Sequence, residues 1–585
     1  MTETELPFHA PRRLRAFVRA REVSIVMLAV VVGAVGGLGV VAMGSAVDLL
    51  HAAFFGLSLG QRLSAVQAIA PWQAGVPAVG GLLLGLSFLM QRKWRPGSPV
   101  DPIEANALRG GQMSVRDSLI VAGQTVLSSG VGASVGLEAG YTQLGSGAAS
   151  WIGRMFHLRR SDLRQLVGCG AAAAIAGAFG SPLGGAFYAF ELIIGAYTAV
   201  TLAPVGIAAL TGYAVVLMLS PVSLGLPGGE VGTVAARDFP MAAGLGVTAA
   251  MFGILLMRGV ATWERLMTAL PLPAMLRPAL GGILVGGLAL ITPRVLSSGH
   301  GALHVGAMLE LPLGGLALVL LLKSTASIIS LGSGFRGGLF FASLLLGALG
   351  GRVFAETVNA VWPALHLDPD VYTILGLGAL TATVIGAPMA VAFIVLENTG
   401  DFWLTATVFI SVIVANLLTR ELFGYSFATW RFHLRGETIR SAADIGWIRD
   451  LTVGRMMRPD VKRVDKDTPV GEFQTLYPLG SATRVVATDR NNIYAGIMIV
   501  ADAYGALDPK VQTIEPLLRN ADAALTLGMN IQEAARLFEK AEAEALAVVD
   551  AQRRVVGLLT EAYVLRRYAD ELDRRRREIL GETQA

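Results

Sequence analysis

One acidic residue in the first half of the chain has a setting that could do chemistry. Glu138 follows Gly136 and Leu137 in a glycine-rich break inside a long apolar region. A charged side chain at the centre of a bilayer costs about 2.5–3.5 kcal/mol on insertion scales, so such a residue is by default interpreted as functional. The structural alternative is a carboxylate that is tied down at a helix start.

A helix that begins inside the membrane offers unpaired backbone N–H groups and a partial positive charge. These groups bind anions without a cationic side chain, and glycine lets an ion approach the backbone closely. Gly97-Ser98 and Gly337–Phe340 share the pattern of such a helix start, and Ser98 adds a hydroxyl donor. Glu138 is therefore predicted to compete with an anion at a third such start. Its protonation would end the competition, which would make it a gate, a proton carrier or both.

The composition places these residues in a membrane domain. Of the 585 residues 53% are hydrophobic and only 15% are charged, against about 25% charged in soluble proteins. Apolar runs of about 18 residues or more predict membrane spans. The predicted organisation is a polar segment 1–22, a membrane domain 23–440 and a soluble tail from 451 onward.

Charge and cysteine content exclude several other classes. Five arginines precede the first apolar run, and this basic flank predicts a cytoplasmic N-terminus. The net charge of +4 is therefore interpreted as a sign of membrane topology rather than of nucleic-acid binding. Cys169 is the only cysteine, so a disulfide framework is excluded. The sequence shows no set of metal ligands and no nucleophile–base spacing. It therefore predicts neither a metal site nor an enzyme.

An internal repeat divides the membrane domain into halves of about 23–220 and 239–435. The segment from Gly180-Ser181-Pro182 to Glu191 matches the segment from Gly386-Ala387-Pro388 to Glu397 at an offset of 206 residues (386 − 180). The segment 132–145 matches 334–347 at an offset of 202 (334 − 132). In transporters such halves usually run antiparallel and meet at the substrate site.

With these segments identified, the chain resembles the CLC family of chloride channels and chloride–proton exchangers. Residues 97–104, GSPVDPIE, resemble the family's GSGIPEIE, and residues 132–145, GASVGLEAGYTQLG, resemble GGSxGREGPxxxIG. Residues 169–191 are close to the family's central helices, and residues 332–342, GSGFRGGLFFA, resemble GSGGSGGVFAP. The four segments occur in the family's order, and the resemblance covers nearly the whole length of the chain.

The resemblance implies a fold and a set of site residues. It implies an all-α polytopic membrane protein of two inverted halves with tilted and broken helices. It also implies a homodimer in the cell (inner) membrane, with both termini cytoplasmic and a chloride pathway in each subunit. By position, Ser98, Gly338, Leu339 and Phe340 would line the anion site and Glu138 would be the gate.

Departures from the family pattern bear on the mechanism. The family arginine before the gate is Leu137, and Arg336 stands where the family has a small residue, so Arg336 is a candidate compensating charge. The second glutamate of proton-coupled members is Leu192, which favours a passive chloride channel; the alternative is a chloride/proton antiporter. The family's central tyrosine matches either Tyr425 or, in a gapless alignment, Ala428.

The tail resembles a pair of CBS modules, 451–507 and 508–585, the second ending in a helix. Such modules often bind adenine nucleotides through Gly-x-x-Thr-x-x-Asp. The first copy keeps Asp502 without the threonine, and the second keeps Thr560 without the aspartate. A structural or dimerising role is therefore favoured over binding of an adenine nucleotide in the CBS pair, which is the alternative, and chloride is the predicted substrate.

Overall fold

The computed structural model describes residues 22–58, 60–94, 97–220, 232–299, 311–434, 451–505 and 511–567, together with residues 10, 11, 13 and 15. The predicted segment 1–22 and the end of the predicted C-terminal helix lie mostly outside these residues. The chain divides into two compact units, Met1–Asp444 and Ile445–Ala585.

The first unit is helical throughout its described residues. Its helices are α1 (Glu22–Phe55), α2 (Val76–Trp94), α3 (Pro102–Leu108), α4 (Val115–Gly130), α5 (Glu138–Met155), α6 (Arg160–Phe179), α7 (Pro182–Tyr188, continued by a π-helical turn Ala189–Ile194), α8 (Ala199–Leu219), α9 (Asp238–Ala269), α10 (Arg277–Ile291), α11 (Leu313–Gly332), α12 (Phe340–Val361), α13 (Pro369–Ile385), α14 (Pro388–Thr399), α15 (Phe402–Leu422) and α16 (Phe427–Leu434). Short 3₁₀ turns lie at Leu63–Ala65, Pro71–Gly75, Ala274–Leu276, Pro293–Val295 and Pro363–Leu365.

Eight helical segments among the described residues are long and apolar enough to cross a membrane. The first of them is α1, whose 34 residues extend about 50 Å at a rise of about 1.5 Å each. This length exceeds the hydrocarbon thickness of about 30 Å, so α1 must be tilted or must project from the bilayer. Helices α13 and α14 are apolar but shorter. The predicted all-α polytopic membrane fold is confirmed.

The Gly-x-Pro breaks end one helix and begin the next at equivalent places in the two halves. Gly180 ends α6 with φ +63°, and Gly386 ends α13 with φ +80°. This left-handed conformation is accessible to glycine without a steric penalty. Pro182 and Pro388 then occupy the first turns of α7 and α14, where a missing N–H costs nothing.

The repeat is also visible where helices cross. Gly145 on α5 lies so close to Gly170 on α6 that a Cβ on either would strike the other's carbonyl oxygen. Gly347 on α12 and Gly376 on α13 have the same relation. These are the pairs that the offsets of 202 and 206 residues connect (347 − 145, 376 − 170). Glycine thus permits the same close helix contact in each half.

The second unit contains two sheets of one pattern. Its elements are α17 (Val453–Met456), β1 (Arg463–Asp465), α18 (Val470–Leu476), β2 (Arg484–Thr488), β3 (Tyr494–Ile499), β4 (Leu525–Thr526), α19 (Ile531–Ala541), β5 (Ala545–Val549) and β6 (Val555–Thr560). In the sheets β1-β2-β3 and β4-β5-β6 the first pair of strands is parallel and the second is antiparallel. A helix connects the first two strands of each sheet, so the tail is the predicted α/β pair.

The core of each module in the tail includes a residue from the segment that precedes the first strand of the other module. Val453, which precedes β1, is buried in the core under the second sheet, and its N–H donates to the Met529 carbonyl at 2.9 Å. Ile514, which precedes β4, is buried in the core under the first sheet, and its N–H donates to the Thr468 carbonyl at 3.1 Å. The two modules therefore stabilise each other.

Candidate functional site

Two glycine-rich turns, one from each half, meet in the interior of the first unit. The Gly136 N–H donates to the Gly338 carbonyl at 2.9 Å, and the Gly338 N–H donates to the Gly136 carbonyl at 3.1 Å. Each turn leads directly into a helix, because α5 begins at Glu138 and α12 at Phe340. The repeat therefore places two helix N-termini, with their unpaired N–H groups, side by side.

The Glu138 side chain reaches from the first half to the second. Its Oε1 accepts a hydrogen bond at 2.6 Å from the N–H of Phe341, in the first turn of α12. Gly338 makes room for this carboxylate, since a Cβ there would lie 2.7 Å from Glu138 Oε2. The side chain is 3% exposed. A buried carboxylate thus occupies a helix N-terminus, which is a place suited to a free anion.

Aromatic rings pack around this point. The ring centroid of Phe179 lies 4.2 Å from that of Phe340 and 4.3 Å from that of Phe341. All three residues are buried. Because the rings exclude water, hydrogen bonds between backbone N–H groups and an anion are stronger here than in solvent. Glu138 Oε2 is also buried and accepts no hydrogen bond from the described residues, so it is the oxygen that a proton can occupy.

The structure brings Glu138, Gly338, Leu339 and Phe340 together, but the predicted helix start at Gly97-Ser98 is wrong. Helix α3 begins at Pro102, and Asp101 Oδ1 caps it by accepting a hydrogen bond from the Ile103 N–H at 2.8 Å. Aspartate is a preferred N-cap and proline suits the first helical position, whereas Pro99 keeps the preceding residue extended.

Ser98 is exposed in the segment before this helix. The segment is connected to α5, where Gln143 Nε2 donates to the Val100 carbonyl at 2.9 Å. Val100, two residues after Ser98, is thus held at α5, and Ser98 does not lie at a helix N-terminus. Its part in anion binding stays a prediction.

The candidates for the central tyrosine lie at the start of α16. Tyr425 comes two residues before this helix, and its ring centroid is 5.8 Å from that of Trp430. Ala428 is the second residue of the helix. Ser426, between them, packs against Gly386 at the end of α13. Tyr425 as an anion ligand stays a prediction.

Arg336 and Leu192 are the two departures that bear on the mechanism. The guanidinium of Arg336 lies over the ring of Phe88, with Cζ 5.4 Å from the centroid, and its backbone N–H donates to Ser128 Oγ at 3.1 Å. Leu192 is buried, with 5% exposure, in the π-helical turn after α7. That Arg336 replaces a charge absent at Leu137 stays a prediction.

The nucleotide candidates of the tail lie in different modules. Asp502 follows β3, and its Oδ2 accepts a hydrogen bond from Arg519 Nη2 at 2.6 Å. Thr560 is the last residue of β6. The carboxylate that would meet a ribose is therefore engaged by an arginine in this structure.

A family model described as voltage gated chloride channel matches residues 80–420, and a CBS domain model matches residues 520–570. The chain belongs to the CLC family. CLC channels and transporters are transport proteins, so chloride transport across a membrane is confirmed at the level of the family. The CBS match likewise confirms the identity of the tail.

Relatives and a solved structure agree with this assignment to the CLC family. A ClcB-like chloride channel protein from Ralstonia nicotianae is 32% identical over 386 residues, which cover 64% of this chain and 89% of that protein. The voltage-gated ClC-type chloride channel ClcB of Escherichia coli is 30% identical over 407 residues, covering 68% and 96%. The crystal structure of a slow cyanobacterial Cl⁻/H⁺ antiporter has the same fold, with a TM-score of 0.61 and 22% identity over 70% of this chain and 97% of that one.

Two further carboxylates join the CLC halves reciprocally. Glu191, after α7, accepts hydrogen bonds from the N–H groups of Met389 and Ala390 at the start of α14, both at 3.0 Å. Glu397, on α14, accepts hydrogen bonds from the N–H groups of Leu183 and Gly184 at the start of α7, at 3.0 and 3.2 Å. The repeat makes these two glutamates equivalent in the sequence, but it does not reveal that each caps the other half's helix.

Tyr188 lies near Glu138, the predicted gate, and the sequence motifs did not indicate it. Its hydroxyl lies close to Thr142, whose Oγ1 donates to the Glu138 carbonyl at 2.9 Å. Its ring centroid is 6.1 Å from that of Phe340. The carboxylates of Asp101 and Glu138 act electrostatically on the Tyr188 hydroxyl. The only signal in the sequence was a tyrosine in an otherwise apolar run after Pro182.

Proposed function

We propose that the chain is a passive chloride channel whose pathway Glu138 opens and closes. The observation that carries this proposal is the Glu138 carboxylate at the N-terminus of α12. The N–H groups there form an anion site, and an ionised carboxylate fills it as chloride would. Protonation removes that charge, so the side chain leaves the N–H groups to chloride. Ser98, Gly338, Leu339, Phe340 and Tyr425 are proposed to line the pathway around the gate.

Passive conduction is supported by Leu192 and by the relatives. An apolar, buried residue at position 192 cannot carry a proton to the inner end of the pathway. The relatives from Ralstonia nicotianae and Escherichia coli are both named chloride channels. The alternative is chloride/proton exchange. It is favoured by the structural neighbour, named a Cl⁻/H⁺ antiporter, and by Glu138 itself, which can carry a proton.

Flux from liposomes that contain the purified protein separates the two activities. With a potassium ionophore present, an outward chloride gradient is expected to drive chloride efflux without proton uptake, since nothing in the channel couples the two ions. Chloride is followed with a silver electrode and protons with a pH electrode in the same vessel. Proton uptake that continues against its own gradient while chloride leaves would establish the exchanger instead. Protein-free liposomes and added protonophore provide the controls for leak.

We further propose that the Tyr188 hydroxyl assists the anion beside the gate. Tyr188→Phe is expected to raise the chloride concentration for half-maximal flux about tenfold, since a hydrogen bond to a charged partner contributes about 1.5–3 kcal/mol. Tyr213→Phe is the matched control, because Tyr213 packs against the hydrophobic core of the first half. An unchanged chloride dependence in Tyr188→Phe would show that the hydroxyl has only a structural contact with Thr142.

The protein is proposed to be a homodimer in the bacterial inner membrane with both termini in the cytoplasm. The support is the resemblance to CLC proteins and the basic residues before α1, since basic flanks stay cytoplasmic. A reporter fused to either terminus should be active only in its cytoplasmic form, and crosslinking in membranes should give one species of twice the subunit mass.

The CBS pair is proposed to be structural rather than nucleotide-binding. Asp502 already pairs with Arg519, and Thr560 belongs to the other module, so neither copy has both halves of the nucleotide signature. Equilibrium dialysis of the purified protein against ATP is expected to show no saturable binding, and saturable binding lost in Asp502→Ala would contradict the proposal.

A further inference from the structure

A cavity of about 110 Å³ lies beside the gate. Its wall includes Leu137 and Tyr141, which flank Glu138 on either side in the sequence, and residues from the last turns of α1, α6 and α8. A water molecule takes about 30 Å³ of liquid volume, so the cavity has room for one small ion with water around it. The Glu138 carboxylate points away from this space to Phe341.

The cavity is lined by side chains of both charges. Arg62 and Asp48 both line it and form a long ion pair, with 3.5 Å between Nη1 and Oδ1. The side chains are 36% and 24% exposed, so the pair is weak and leaves Arg62 able to bind a second anion. His51 completes the set of titratable groups from α1, and its Nε2 lies 3.1 Å from the Ser129 carbonyl.

A buried lysine stands directly behind the cavity wall. Lys323 on α11 is fully buried, and its Nζ donates to the Ser297 carbonyl at 2.6 Å and to the Val295 carbonyl at 3.1 Å. Ser297 is part of the wall, and its Oγ lies 3.2 Å from that of Ser129. Lys323 thus lies behind the wall, Arg62 lines the cavity itself, and the wall supplies hydroxyl groups that can turn to donate.

The cavity is electrostatically connected to the gate. The Tyr141 hydroxyl lies within reach of the charge of Glu138 and also of the charges of Arg62 and Asp48. Arg62 and Leu137 both line the cavity. Arg336 is not part of that lining, and its guanidinium lies over the ring of Phe88.

We infer that this cavity is a second anion site, in which Arg62 holds a chloride ion next to the closed gate. The inference rests on the proposed function, because the chloride held in this cavity is the ion that binds the N–H groups of α12 when Glu138 leaves them. Helix α1 crosses the membrane from a proposed cytoplasmic N-terminus, so the site faces the outside. A cation in the cavity wall favours an anion beside it, and charged groups along a pathway change the rate at which anions associate.

Opposite charge changes at Arg62 and Asp48 test the inference. Arg62→Gln is expected to raise the external chloride concentration for half-maximal flux about tenfold, and Asp48→Asn to lower it, because steering by a charged cleft changes association about tenfold or more. Flux at saturating chloride should stay within about twofold of the parent, with gluconate keeping the ionic strength constant. If the pair is only a structural contact, both variants will change in the same direction, which overturns the inference.

Crystals soaked in bromide test the site without relying on flux. Anomalous density is expected in the cavity of the parent protein and of Asp48→Asn, and it should be lost in Arg62→Gln. An empty cavity at a bromide concentration that fills the pathway of Glu138→Gln overturns the site. Arg336→Gln is the comparison variant, and loss of the cavity density in that variant alone would mean that Arg336 and not Arg62 is the relevant cation. If Glu138 is not the gate, chloride flux through Glu138→Gln will still depend on pH, and this result is distinct from an empty cavity.

Discussion

Glu138→Gln is expected to make chloride flux high and independent of pH, whereas flux through the parent protein rises as the pH falls. The sign follows from the contact with Phe341. An ionised carboxylate is stabilised by the N–H groups and the positive end of the α12 dipole, and it keeps chloride out. A proton, or the neutral amide of glutamine, removes the charge on which that attraction depends. At alkaline pH the variant should exceed the parent about tenfold or more, since a charge-assisted hydrogen bond contributes about 1.5–3 kcal/mol.

The measurement is initial chloride efflux from liposomes at a series of pH values on both sides of the membrane. Glu264→Gln is a matched control, because Glu264 is an exposed glutamate on α9 and its variant should keep the pH profile of the parent. Glu138→Ala should behave as Glu138→Gln does, since both lack the charge. A pH dependence that persists in Glu138→Gln would remove Glu138 as the gate and would assign gating to another titratable residue.

The sequence predicted those features that depend on local chemistry or on the repeat. Glu138 was recognisable because a carboxylate in a glycine-rich apolar segment is costly to keep in a membrane unless it has a function. The equivalence of Gly145 and Gly347 followed from two constant offsets, and the structure places both at helix crossings. Leu339 and Phe340 were assigned by position in a motif, and they do lie at the turn beside Glu138.

The features that were missed depend on contacts between distant segments. The start of α3 was placed too early because Gly97-Ser98 has the pattern of a helix start, whereas Asp101 and Pro102 set the local helix start. Tyr188 meets Thr142 only after α5 and α7 have packed. The cavity is lined by α1, the turn after it, and residues from both halves. The spacing of residues along the chain does not predict these contacts, because they depend on how the whole domain folds.

Gly347→Val is expected to destabilise the membrane domain strongly, while Gly350→Val on the same helix should be nearly neutral. A Cβ at Gly347 would strike the carbonyl oxygen of Gly376 and lie 2.8 Å from the Cα of Leu377, both of which are backbone atoms that cannot rotate away. A Cβ at Gly350 meets nothing within 4 Å. Overpacking typically costs about 1–3 kcal/mol, and forcing two backbones apart should reach at least the upper end of that range.

Cys169 provides the measurement, because it is the chain's only cysteine and is fully buried. A thiol-reactive dye will therefore report unfolding as Cys169 becomes exposed on heating, and the midpoint should fall markedly in Gly347→Val but not in Gly350→Val. Cys169 lies in the first half, so the altered contact in the second half cannot expose it directly. Gly145→Val repeats the change in the first half. If the two halves unfold as one unit, Gly145→Val and Gly347→Val will lower the midpoint temperature of unfolding by similar amounts. A much smaller effect of either variant would show that the two helices at that crossing can move apart without loss of stability.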